Sequence, residues 1–268
     1  MPFYRLPMDG VPNRMRSPIA VESAVTGMIA ALATTNLALR LVAKTDYVTL
    51  ASGVVTQILD ISGNSNTATQ SSSGVRPVWN ATAVADSKPA IVFDRSTYLD
   101  IANSSSMQIS AGMTYYGVAR YDNFADSQHN TIIEKGPHGV GANYVFGKGN
   151  SALSNALKFT YVDSNFRDVV ESTHYQGADN TFYVYCVVVR QSAGQVDFYV
   201  NGSLKSTVSD SYGLDYGATS TTGARIGLNN SDDEGLAGAI AELVIDRAEH
   251  TSTVVSNNTT ALRAYWGI

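Results

Sequence analysis

Residues 181–207 constrain the fold of this 268-residue chain more than any other stretch. The run FYVYCVVV (182–189) is apolar on both alternating faces, so it reads as a central strand covered on both sides. QSAGQ turns the chain into VDFYV, where Val196, Phe198 and Val200 share one face. Asn201-Gly202 then separates that strand from SLKS. An Asn-Gly pair between two strands marks a hairpin, because a type I′ turn needs positive φ at both central positions. The stretch reads as a three-stranded antiparallel meander.

The chain from residue 36 onward has the same texture. Strand-like runs at 36–43, 53–61, 88–94, 98–101, 112–121, 131–135, 143–147, 156–162, 224–228 and 236–246 alternate with Gly- and Asn-containing loops. Many short strands with little helix indicate an all-β sandwich or barrel of antiparallel sheets. Helical spacing occurs at 21–35, through Val25, Met28, Ile29 and Leu32, and at 253–266, with Val254, Asn258, Leu262 and Tyr265 on one side. The expected organisation is an arm over 1–18, a short helical connector over 19–35 and one β-sandwich domain over 36–268.

The arm is set apart by its prolines. Pro2, Pro7, Pro12 and Pro18 are four of the seven in the chain, spaced so that neither a helix nor an interior strand can form. Arg5, Arg14 and Arg16 face Asp9 alone in a chain of net charge −5. The expectation is an extended segment gripping a partner or a sister subunit through Pro2, Phe3, Tyr4, Arg5, Pro7, Pro12, Arg14 and Arg16.

The acidic balance, with no basic run or stripe, argues against a nucleic-acid partner. No run of eighteen apolar residues is present, so no membrane-spanning helix is expected. Cys186 is the single cysteine; it permits no intrachain disulfide and, inside the 182–189 strand, reads as a small buried hydrophobe. The opening MPFYRLPMDG lacks the apolar core of a secretory signal, so synthesis in a cytoplasm without export is expected.

Residues 54–70, VVTQILDISGNSNTATQ, end an apolar run in a turn built from Asp60, Ser62, Gly63, Asn64 and Asn66. Such side chains bond their own backbone, so D-x-S-G-N-x-N reads as a self-capped loop. This segment is followed in order by PAIVFDRSTYLDI, MTYYGVARY, VDFYVNGSL, RIGL and GAIAELVIDRA ahead of a C-terminal helix. The series resembles the concanavalin A-like lectin/glucanase superfamily, specifically the laminin-G-like, pentraxin-related jelly rolls of bacterial and phage proteins. The resemblance covers about residues 36–268. It implies a two-sheet antiparallel jelly-roll sandwich and leaves function open.

Some relatives of that kind are glycanases with two or three carboxylates along one strand. The nearest pattern here is Glu242-Leu-Val-Ile-Asp246, where Val244 occupies the middle position. Carboxylates at i and i+4 of a strand stand on the order of 13 Å apart, too far for a retaining pair. No catalytic residue is assigned. His129, His138, His174 and His250 have no nucleophile elbow or zinc spacing near them. Other relatives hold calcium on Asp and Asn loops; Asp60, Asn64, Asp232 and Asp233 are the candidates for Ca²⁺, with turn-capping as the competing role. Trp79, in the loop-like RPVWNAT, is the candidate glycan platform. These features suggest a non-enzymatic structural component of a bacteriophage virion, such as a head decoration protein, head fibre or tail component. Its partners would be capsid or tail subunits and further copies of itself. The alternative is a lectin module that recognises a cell-surface glycan.

Overall fold

The computed structural model describes residues 32–108, 112–136, 143–150, 156–162, 167–170, 177–209 and 221–268. The arm over 1–18, nearly all of the 19–35 connector, His138 and His174 lie outside them. Ala33–Ile268 form one compact unit.

Every strand pairing among the described residues is antiparallel, and the strands form two sheets. The first runs in the order β15 (Ser203–Ser209), β14 (Gln195–Val200), β13 (Tyr183–Arg190), β8 (Met113–Tyr121) and β17 (Ala237–Asp246). The far edge of β17 is shared. β1 (Leu37–Val42) pairs with its second half and β6 (Lys88–Asp94) with its first. The second sheet runs β12 (Arg167–Val170), β11 (Leu157–Val162), β10 (Asn143–Lys148), β9 (Asn130–Lys135), β16 (Ala224–Ile226), β7 (Leu99–Ile101), β4 (Ala68–Thr69), β3 (Val54–Ile58) and β2 (Val48–Ala51). β5 (Val78–Val84) joins the two, pairing with β6 along its length and with β3 at Val54–Val78. The architecture is the expected jelly-roll sandwich.

Period-2 alternation sends Tyr115, Ala119, Tyr185, Val187, Val189, Phe198, Leu243 and Ile245 of the first sheet into one core with Ile133, Tyr144, Phe146 and Phe159 of the second. Aromatic rings fill its middle: Tyr115 lies 5.2 Å from Tyr144 and 5.4 Å from Phe159, centroid to centroid. The other residues of β13, Val184, Cys186 and Val188, are equally buried but on the opposite face. That face is covered by helix α1 (Ser252–Trp266), which is why 182–189 is apolar throughout.

Thr251 caps α1 by accepting from Val254 N, and Gly267, at φ 71°, ends it. The buried stripe is Val255, Asn258, Thr259, Leu262 and Trp266, rotated from the expected Val254–Tyr265 face. Polar partners on the sheet set this rotation. Trp266 Nε1 donates to Glu242 Oε2 at 2.8 Å, and Asn258 Nδ2 donates to the Tyr116 hydroxyl.

Candidate functional site

The one α-helix among the described residues, α1, packs on the outer face of the first sheet, and no described helix covers the outer face of the second. Strand register lays a row of outward side chains across it. Gln57 pairs with Thr69, Thr69 with Asp100, Asp100 with Arg225, and Arg225 with Glu134. Their strand neighbours Ile58, Ala68, Leu99, Ile101, Ala224, Ile226 and Ile133 point into the core, which fixes the row's orientation.

Over the first three members of this row lies a polar cleft of about 420 Å³ lined by Thr56, Gln57, Thr69, Gln70, Ser71, Arg76 and Asp100. By contrast, the apolar cavity of about 20 Å³ among Leu41, Phe93 and Leu243 has room for no ligand larger than water. Asp100 is exposed; its Oδ1 accepts from Arg225 Nε at 2.9 Å. Arg225 Nη1 also reaches Asp232, and its guanidinium stacks 3.9 Å above the Tyr98 ring centroid. Asp100 is therefore oriented by a charge that is itself fixed from three sides.

Beyond Arg225 the face closes. Glu134 is fully buried beneath the 228–235 loop, where Asn230 donates to its Oε2 through both backbone N and Nδ2. Burial pushes its carboxyl up to about 7, with the charge of Glu234 adding to the rise, although the Asn230 bonds oppose it. Its Oε1 has no hydrogen-bond partner among the described residues. Glu234 itself faces His129 at 3.6 Å and Lys158 at 3.7 Å.

The residues anticipated from sequence fall elsewhere. Trp79 is not in a loop; it lies on β5 opposite Ile91, half-buried, with its ring packed against the core and its indole nitrogen buried without a partner among the described residues. Asp60 accepts from Arg40 N, Ser62 N, Ser62 Oγ and Asn66 N at 2.7–3.0 Å. Asn64 and Asn66 donate to the Leu37 and Ala38 carbonyls, so this loop closes on the free edge of β1. Asp232 pairs with Arg225 and Asp233 with Asn229. Among the described residues no group of three or more His, Cys, Asp or Glu is placed to hold a metal.

Glu242 and Asp246 face α1 rather than solvent. Glu242 pairs with buried Arg40 at 2.7 Å, and Asp246 accepts from Thr35 N, Asn36 N and His250 Nε2. The second nitrogen of His250 meets Tyr116 at 2.8 Å, completing a buried polar chain. Sequence reasoning missed Tyr98, Asp100, Arg225 and Arg76. The available signal was the alternation in Tyr98-Leu99-Asp100-Ile101 and Ala224-Arg225-Ile226, which sets charge and aromatic residues on one face and apolar residues on the other.

Fold and register together define a lectin-like β-sandwich whose second sheet carries a row of polar side chains on its outer face. A family profile of the concanavalin A-like lectin/glucanases superfamily, Laminin_G_3, matches residues 93–255, and the chain belongs to that superfamily. No curated protein sequence matches it. Among solved structures, domain 4 of AbnA, a GH43 extracellular arabinanase from Geobacillus stearothermophilus, in complex with arabinotriose, is similar. Its TM-score is 0.58 at 14% identity, with 84% of this chain and 99% of that chain covered. The botulinum neurotoxin serotype D ligand binding domain in complex with N-acetylneuraminic acid gives a TM-score of 0.61 at 14% identity, covering 87% and 54%. The binding domain of botulinum neurotoxin DC in complex with rat synaptotagmin II gives 0.59 at 13%, covering 85% and 52%. This chain thus spans about half of each toxin binding domain. At such identities the likeness is one of fold.

Proposed function

We propose that this protein is a non-enzymatic carbohydrate-recognition domain that holds a glycan in the cleft over Gln57, Thr69 and Asp100. The observation that carries this reading is the cleft itself: planar amide and carboxylate side chains and hydroxyls, set by strand register on a rigid sheet. Sugars present dense arrays of hydroxyls that both donate and accept, and such groups match them without rearrangement. Asp100 Oδ2 accepts from no donor among the described residues and can accept from a sugar hydroxyl. The arabinotriose and N-acetylneuraminic acid complexes of the similar folds support the same ligand class. Hydrolysis of a glycosidic bond uses two carboxyl groups flanking it. Among the described residues, Asp100 is the one carboxylate lining this cleft, and Glu134, further along the row, is covered. This arrangement supports binding rather than cleavage.

A glycan array with the purified protein tests this. Binding to a defined set of oligosaccharides is expected, weakened at least about tenfold by Asp100→Ala or Gln57→Ala, as loss of one or two hydrogen bonds to a ligand predicts. A folded protein that binds no glycan, or whose binding is unchanged in both variants, would sink the reading.

The proline-spaced, basic segment at 1–18 favours a setting for this recognition: display of the sandwich on a phage particle, with the segment attached to a capsid or tail subunit or to a sister copy. That setting is a proposal from sequence, since the segment lies outside the described residues.

A further inference from the structure

Five arginines around the sandwich are paired with carboxylates. Arg40 pairs with Glu242, Arg95 with Asp126, Arg120 with Asp122, Arg190 with Asp197 and Arg225 with Asp100 and Asp232. Arg76, on the cleft wall, has no carboxylate partner among the described residues. Its Nε donates to Gln70 O at 2.9 Å and its Nη2 to Ser71 O at 2.5 Å. Those two bonds fix the plane of the guanidinium while leaving Nη1 and the second proton of Nη2 unspent. A cation at a polar cleft, uncompensated in an acidic protein, has its natural complement in a ligand anion.

The placement is rigid rather than incidental. Pro77 follows Arg76 and restricts it to the extended backbone observed, φ −76° and ψ 131°. The turn before it is latched to β7, because Tyr98 N donates to Val75 O at 3.0 Å. Buried Gln70 reinforces the latch: its Nε2 donates to Tyr98 O and its Oε1 accepts from Ser72 N. Arg76 is thereby held in register with Asp100, two residues beyond Tyr98 on the same strand. A planar pair of donors stands on one wall, and a carboxylate acceptor with a free oxygen stands on the floor.

We infer that the cleft selects acidic glycans, with the ligand's carboxylate or sulfate on the free end of the Arg76 guanidinium and its ring hydroxyls on Asp100 and Gln57. A guanidinium grips two oxygens of one carboxylate or sulfate through two parallel N–H···O bonds, a fit that an ammonium cannot reproduce. This inference rests on the glycan-binding reading and narrows it to a substrate class.

The test is an array of uronate-containing, sialylated and sulfated oligosaccharides, each printed beside its carboxyl-reduced or desulfated counterpart and probed with wild type, Arg76→Gln and Arg76→Lys. Wild type is expected to prefer the acidic member of a pair by at least about tenfold. That preference should shrink with rising salt, fall to near unity in Arg76→Gln and survive only partly in Arg76→Lys. Circular dichroism of the variants confirms folding, and the paired ligands on wild type need no substitution at all. Equal binding of acidic and neutral members, or a preference unchanged in folded Arg76→Gln, overturns the acidic selection while leaving glycan recognition standing. Absence of binding to every member overturns both.

Discussion

Arg40 and Glu242 illustrate how a single buried charge governs stability here. Both side chains are almost fully buried, and Glu242 is held by Arg40 on one oxygen and Trp266 on the other. Removing one partner leaves the other charge stranded away from water. Arg40→Ala is therefore expected to cost about 3–5 kcal/mol in urea unfolding; a loss below about 1 kcal/mol would contradict a buried ion pair. Glu134 makes the complementary case. Its folded carboxyl titrates at about 7 against an ordinary 4.5. Between those values the folded protein holds more protons than the unfolded chain, so its contribution lowers stability as pH rises from about 4.5 to 7 and keeps it lowered above. At about 1.4 kcal/mol per unit, the loss is on the order of 3 kcal/mol. Glu134→Gln, which imitates the protonated acid, should remove that pH slope and unfold at higher temperature than wild type at pH 8. Parallel stability profiles for the two proteins would overturn this. None of this is legible from Glu134 itself in sequence, because it depends on Asn230 and Glu234 arriving from about a hundred residues away.

At the scale of elements, the hairpin at Asn201-Gly202 was readable because its cause is local. Both residues adopt positive φ, 50° and 81°. The fold then adds a bond that local sequence does not announce: Asn201 Oδ1 accepts from Val184 N at 2.9 Å. Asn201→Ala loses both and is expected to cost about 2–3 kcal/mol in chemical denaturation, combining the left-handed strain with a lost hydrogen bond. Asn201→Gly should lose only the hydrogen bond and stay closer to wild type; equal losses would show that backbone strain plays no part. Strand β5 was the opposite case. RPVWNAT carries a proline and an Asn and reads as a loop, yet tertiary pairing of Val78–Asn80 with Ala90–Val92 makes it the strand that joins the sheets. Helix α1 was legible as a helix from its spacing, whereas its buried stripe followed Asn258 and Trp266, whose partners lie on β8 and β17.

At the scale of the whole molecule, the sandwich has its own core, and Ala33–Ile268 form a compact unit. Deleting residues 2–18 should leave its melting temperature and circular dichroism unchanged while abolishing attachment to the particle or sister subunit proposed for it. A truncated protein that still attaches would refute the arm, and one that unfolds would refute the independence of the sandwich. The all-β class, the meander and the D-x-S-G-N loop were legible in the sequence alone. Each arises from period-2 alternation and turn chemistry acting within a few residues. Which sheet face carries the polar row depends on tertiary packing. Packing of α1 closes one face, and the register of five strands aligns Gln57, Thr69, Asp100, Arg225 and Glu134 across the other. Residues that far apart in the chain meet only when the sheets have formed.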